Sequence, residues 1–212
     1  MNKDEQQNRN KVDSNKVVAS FAQQRLWLLD QFSEGGSQYN IYRAIKLAGA
    51  LDKEVLQQTL NEMSQRHEVF RTQFIEEDGR PFQIILDTVE INLAIIDIHT
   101  TSPNEREAEI SSIIEREVNR PFDLQIAPLF RASLITVSAT EFVFVYVMHH
   151  IISDGWSMAI INRELSALYN ALSQNRPSLT NMGTMKHARC LQGPIWSIVT
   201  KHPGTRQLIG SV

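Results

Sequence analysis

The chain has 212 residues, 42% of them apolar and 21% charged, a globular balance that suits one domain or one lobe of a larger one. A net charge of −3 gives no reason to expect nucleic-acid binding, which needs a clustered positive field. The single cysteine, Cys190, excludes an internal disulfide and a cysteine metal cluster, and it suits a reducing cytoplasm. The longest apolar run, 142–148, is strand-sized and far short of the roughly 20 residues of a membrane helix, so no membrane association is expected.

Residues 1–16 are rich in Asn, Gln, Asp and Lys, lack the apolar stretch of a secretory signal and are expected to be a disordered lead-in. Ser20 is a good N-cap for a short amphipathic helix over FAQQRLWLLDQF, where Leu26, Leu29 and Trp27 can share a flank. Gly35-Gly36 ends that unit, and 39–47 reads as a strand. Asp52 caps a helix over 53–66 with an inward stripe of Val55, Leu56, Thr59, Leu60 and Met63. Strands over 70–75 and 82–86 flank Asp78-Gly79, a strong hairpin signal, and 89–96 reads as a further strand.

Ser102-Pro103-Asn104-Glu105 combines a capping box with proline at the first helical position and opens a helix to Asn119. Strands over 130–137 and 142–148 follow; the second is apolar throughout, so both its faces should be covered. A loop at 149–155 leads into a helix over 156–172 that buries Met158, Ile161, Leu165, Leu168 and Leu172. The pattern is mixed α+β, one sheet covered by helices. From 179 on periodicity is lost to repeated Gly and Pro, and 179–212 is expected to be a poorly ordered tail.

The richest chemistry lies at Met148-His149-His150-Ile151-Ile152-Ser153-Asp154-Gly155, where a buried strand delivers two histidines to its carboxyl end. A neutral imidazole there can accept a proton near pH 7, Asp154 can hold the loop through an ion pair, and Gly155 can allow a tight turn. By composition alone, adjacent histidines at a strand end are more often hydrogen-bonded structure than catalysts. Side chains alternate along a strand, so His149 and His150 are poor joint metal ligands and no metal is expected. By composition alone Arg66-His67-Glu68 and Arg71 read better as a solvated cluster of charges, and Gln23, Gln24 and Arg25 equally well as the wet face of the first helix.

Three segments in order change these odds. Ser20–Leu29 resembles S-x-A-Q-x-R-L-W-x-L, Arg66–Phe74 resembles R-H-E-x-L-R-T-x-F with Phe70 in place of leucine, and Met148–Ser157 matches M-H-H-x-x-x-D-G-W-S. These are the first three motifs of nonribosomal peptide synthetase condensation domains, and the likeness runs over about 18–178. Asn119–Leu124 and Pro128–Arg131 are similar to a further family segment.

The resemblance implies a chloramphenicol-acetyltransferase-like lobe, the amino-terminal one of a pair around a tunnel. It implies amide formation between a donor thioester and an acceptor amine, each carried on the phosphopantetheine arm of a carrier protein, with no cofactor bound by the domain itself. His150 would be the catalytic histidine, taking the amine proton or mainly orienting the amine through a hydrogen bond, and the Gly155 N–H would position reactants or the oxyanion. His149 and Asp154 would be structural, Asp154 pairing with Arg66 or Arg71. The implied partners are carrier proteins and a second condensation lobe or downstream module. No second-lobe motif follows Thr180, so one lobe is expected, with little activity alone. A non-catalytic remnant or interaction module, and a small stand-alone CoA-dependent acyltransferase, are the alternatives.

Overall fold

A computed structural model describes residues 15–32, 36–100, 102–153, 155–174 and 196–199; for 155–157 and 196–199 the description covers the backbone alone. Two sheets, rather than the expected one, organise the lobe. The larger contains β2 (Asn40–Ala48), β5 (Leu93–Asp97), β6 (Phe130–Thr136), β7 (Glu141–His149) and β8 (Trp196–Val199), in the order β5-β6-β7-β2-β8. Of its pairings among the described residues, only β5–β6 is parallel. The smaller is antiparallel, β1-β4-β3, from β1 (Lys16–Val18), β3 (Thr72–Glu77) and β4 (Arg80–Ile85).

The β3–β4 hairpin turns at Asp78 and Gly79, both at positive φ (50° and 75°), as a two-residue turn that follows strand twist requires. Its local closure explains why these strands form their own sheet. Lys16, expected in the disordered lead-in, instead opens β1 and pairs with Ile84. Asn15 also accepts from the Ile85 N–H, while residues 1–14, and the expected tail apart from β8, lie outside the described residues.

The expected helices form as α1 (Phe21–Gln31), α2 (Lys53–Arg66), α3 (Pro103–Asn119) and α4 (Gly155–Ser173). The capping box forms on α1, between Ser20 and Gln23, and not on α3. Ser102 makes no side-chain cap bond; Pro103, with no N–H to satisfy and its φ preset, starts α3 without one. Two strand expectations are corrected. Residues Glu68–Arg71 form a 3-10 turn, held by Phe70 N–H to His67 O and Thr72 Oγ1 to Glu68 O. The segment 89–92 is not in a sheet because α2 takes its backbone bonds. Ser64 Oγ donates to Val89 O, Gln57 Nε2 to Ile91 O, and Asn61 Oδ1 and Gln57 Oε1 accept from the N–H groups of Ile91 and Leu93.

As expected, β7 is interior, between β6 and β2. Alternation sends Phe142, Phe144, Tyr146 and Met148 into one core with Leu56, Leu60 and Met63 of α2 and Met158, Ile161, Leu165 and Leu168 of α4. Val143, Val145 and Val147 face the other way, onto Ile110, Ile113, Ile114 and Val118 of α3. Leu172, expected to face inward, is only half-buried. No described helix is long and apolar enough to cross a membrane.

The carboxyl end of α3 is held from the sheet. Asn40 Nδ2 donates to Val118 O at 2.7 Å and to Arg120 O at 2.9 Å, carbonyls that a helix end leaves without partners. Replacing Asn40 with Ala should strand both and lower stability by about 1–3 kcal/mol, read as a lower denaturant midpoint at unchanged slope. An unchanged midpoint would show that water satisfies them equally well.

Candidate functional site

The two histidines part company where β7 ends. His149 is its last residue, on the valine face, and its side chain is 0% exposed. His150 is exposed and begins a 3-10 turn, His150–Ile152, in which Ile151 and Ile152 are buried and anchor the loop. The turn leads towards the amino terminus of α4 at Gly155. The first amides of a helix lack intrahelical partners, so the loop sets an accessible imidazole close in sequence to N–H donors that the helix itself does not use. Asp154 lies outside the described residues, as does any contact it makes.

His149 is boxed by Tyr39 and Phe122, with ring centroids at 6.1 and 6.5 Å, both edge-on. Its Nδ1 accepts from the Ile151 N–H at 3.1 Å, which places the ring proton on Nε2. Nε2 faces Asp30 Oδ1 of α1 at 3.6 Å. Burial, and secondarily the nearby His150, push the His149 pKa down to about 4, so the ring is neutral at pH 7 and its contact with Asp30 is not an ion pair.

The first motif touches this loop directly. Gln23 Nε2 donates to Gln83 Oε1 at 3.0 Å and to Ile151 O at 3.4 Å, while Trp27 is buried in the main core. Gln24 donates to Ala19 O, and of the three polar residues only Arg25 is exposed as expected of a wet face.

The second motif serves the scaffold. Arg71 donates through Nε to Ser64 O at 2.9 Å and through one terminal nitrogen to Leu86 O and Asp87 O, so backbone carbonyls hold its guanidinium. Arg66 lies 4.0 Å from Glu62. His67 Nε2 meets Glu164 Oε2 of α4 at 2.5 Å. Burial opposes ionisation of Glu164, but the hydrogen bond and charge of His67, with Arg66 and Arg163, outweigh it and hold the carboxyl below its usual range. Phe70, where the motif usually has leucine, packs edge-on against Phe130, which stacks on Tyr146 of β7.

The segment after α3 buttresses His149 from behind. Phe122 lies under the Arg131 guanidinium at 4.0 Å, and Arg131 donates to Glu117 O, Arg120 O and Pro121 O. Sequence reading missed Asp30, Tyr39, Asn40 and Phe122 as parts of this site; each sits outside the chemically suggestive residues. A concavity of about 500 Å³ lined by Glu90, Arg120, Phe122, Asp123 and Arg131 includes neither histidine. Among the described residues, no three metal-ligating side chains cluster.

The depressed pKa of His149 makes stability depend on pH. Between its native pKa of about 4 and an unfolded value of about 6.5, the unfolded chain holds a proton that the native chain does not. This contribution is complete above pH 6.5 and is lost as pH falls towards 4, amounting to about 3 kcal/mol. Asp30, whose carboxyl is pushed up by burial and by Asp123, works against the loss at the acid end. The melting temperature should therefore drop over this window, and His149→Gln should flatten the slope whatever it does to stability at pH 7. An equally steep slope in the variant would assign the effect to another group.

The family model described as "Condensation domain" matches residues 13–187. The chain is 43% identical over 157 residues to a linear gramicidin synthase protein of Brevibacillus parabrevis, an alignment that covers 74% of this chain and 2% of that protein. It therefore spans a small part of the curated relatives it matches. Its fold is that of the starter condensation domain of rhizomide synthetase, with a TM-score of 0.70 at 23% identity over 77% of this chain and 39% of the other. The first condensation domain of the calcium-dependent antibiotic synthetase, solved with a substrate analogue, gives 0.71 at 24% over 79% and 41%. With its three motifs in order and the family model matched over most of its length, the chain belongs to the condensation domains of nonribosomal peptide synthetases.

Proposed function

We propose that this lobe carries the amide-forming centre of a synthetase condensation domain. The observation behind the reading is the split of the histidine pair: one imidazole locked in the core, the next exposed at the mouth of the strand. His150 accepts a hydrogen bond from the acceptor amine and takes its proton as nitrogen attacks the donor thioester carbonyl. The C–N bond forms, the C–S bond breaks, and the thiol of the donor arm leaves with a proton. The Gly155 N–H helps position the reactants or the oxyanion. His149 and Asp154 are the structural members of the motif, with Arg66 or Arg71 as the partner of Asp154. A stand-alone acyltransferase is not favoured, because the relatives and neighbours described above are synthetase condensation domains or contain them.

Donor and acceptor arrive on the phosphopantetheine arms of carrier proteins, in the cytoplasm, and a second lobe completes the tunnel. One surface suits such a partner. Phe21 (87% exposed), Leu28 (51%) and Phe32 (79%) recur along one side of α1, with Val18 (59%) beside them on β1. Arg25 shares this side between Phe21 and Leu28, so the face is apolar with one charge on it, and exposed apolar side chains grouped in this way favour association.

Two outcomes follow from this assignment. The 212-residue chain alone, given two loaded carriers, should form no detectable dipeptidyl product, because positioning two thioesters supplies about 7–11 kcal/mol of barrier lowering and needs both walls. Supplied with a matching second lobe it should condense them, and His150→Ala should then cut the rate about 100-fold or more at nearly unchanged melting temperature. Full activity in that variant would remove His150 from the chemistry. The isolated chain should also self-associate at tens of micromolar, on the order expected for exposed apolar patches, and Phe21→Ser with Phe32→Ser should reduce its light scattering. A monomer in both forms would contradict the apolar-face assignment.

A further inference from the structure

Two buried polar atoms in this lobe face each other without other partners. Asp30 Oδ1 and His149 Nε2 are both shielded from solvent, and neither has a hydrogen-bond partner among the described residues. They lie 3.6 Å apart, with the Asp30 side chain 13% exposed. Because His149 Nδ1 accepts the Ile151 N–H, Nε2 carries the proton and needs an acceptor. Asp30 offers one; a buried donor left unmade is costly.

The surroundings preserve this carboxylate position. A Cβ on Gly36 would come within 3.3 Å of Asp30 Oδ1 and 3.5 Å of Pro121 Cβ, so the glycine leaves the space the carboxylate occupies. Gly36 also sits at φ +53°, which favours glycine. The charged and titratable groups that bear on the pair are few: His150 acts on His149, and Asp123 acts on Asp30. The aromatic rings of Tyr39 and Phe122 close the other sides of His149.

We infer that Asp30 is a positioning residue, which holds the Nε2–H of His149 and through that ring ties helix α1 to the turn that presents His150. The linkage runs through four groups: the Asp30 carboxylate, the His149 Nε2–H, the His149 Nδ1 and the Ile151 N–H, which is the second residue of the turn. At 3.6 Å the first contact is longer than a hydrogen bond, so an approach of less than about 1 Å closes it. Movement of α1 towards the strand thus stiffens the loop, and movement away loosens it. The significance for catalysis rests on the condensation reading above; the contact itself does not.

The test uses the full chain, labelled with 15N-histidine, and needs no substrate. His149 is assigned by loss of its signals in His149→Gln. In the wild type, His149 should be the Nε2–H tautomer with a slowly exchanging, downfield ring proton. Asp30→Asn, which keeps an acceptor of the same shape, should preserve that proton and the protection of the Ile151 amide. Asp30→Ala should lose the ring-proton signature and speed Ile151 amide exchange about tenfold or more, while core amides of β7 such as Phe144 stay protected. Two results would overturn the proposal: an Asp30→Ala variant whose His149 ring proton and Ile151 protection match the wild type, or a loss of protection shared equally by Ile151 and the β7 core, which would make Asp30 a general stabiliser. Gly36→Ala is a second variant that alters neither partner; it should shift the His149 ring proton in the same direction as Asp30→Ala, and an unmoved signal would also count against the contact. Failure of the condensation assay with the two lobes would leave these measurements standing, so the two readings fail separately.

Discussion

A strand covered on both faces can offer its side chains to solvent only where it ends. Strand β7 is dry on one side against α2 and α4 and on the other against α3, and its neighbours β6 and β2 take its backbone bonds. The two-residue period then decides the fate of each terminal side chain. His149 still belongs to the strand and is drawn into the valine face; His150 is the first residue released. Two identical imidazoles one residue apart are thereby given opposite environments, one desolvated and neutral, the other accessible.

Keeping the region dry leaves backbone groups to satisfy, and long polar side chains do much of that. The carbonyls near the end of α3, at Glu117, Val118 and Arg120, are met by Asn40 from β2 and Arg131 from β6. Those of Ser64, Leu86 and Asp87 are met by Arg71. Arg71, from the charged second motif, and Arg131 both hold backbone carbonyls at chain ends. The planar guanidinium suits this use, since it reaches several oxygens at once and keeps its charge when partly buried. The His67–Glu164 contact joins the end of α2 to α4.

Helices were legible because their apolar stripes and caps are local, and α1, α2, α3 and α4 appear within a residue or two of the expected bounds. The interior position of β7 was legible because seven consecutive apolar residues, 142–148, leave no wet face. Less local features were hidden. Nothing in residues 89–92 announces that Gln57, Asn61 and Ser64 of a preceding helix take their backbone bonds, so an apolar run near Ile91 looked like a strand. Asp30 sits among residues that read as an amphipathic helix end, and only tertiary folding brings it against a histidine more than a hundred positions away. A cue existed in the glycine pair that follows it, since Gly36 is what makes room for the carboxylate.

The pairing of β2 with β7 joins Asn40 to His149, and between these strands the chain makes α2, β3, β4, β5, α3 and β6. Contacts of such separation in sequence form slowly, because a long loop must close before they are rewarded. During synthesis from the amino terminus, α1 and β2 leave the ribosome well before β7 exists. Until β7 arrives, the inner edge of β2 is an unpaired template for other strands. The arrival of one nine-residue strand closes that edge, joins β2 to β6 and brings the first motif against the third in a single event. The reacting end of the lobe is therefore among the last parts to be assembled, and ribosome stalling just before residue 141 would leave a nascent chain with β2 unpaired and no site.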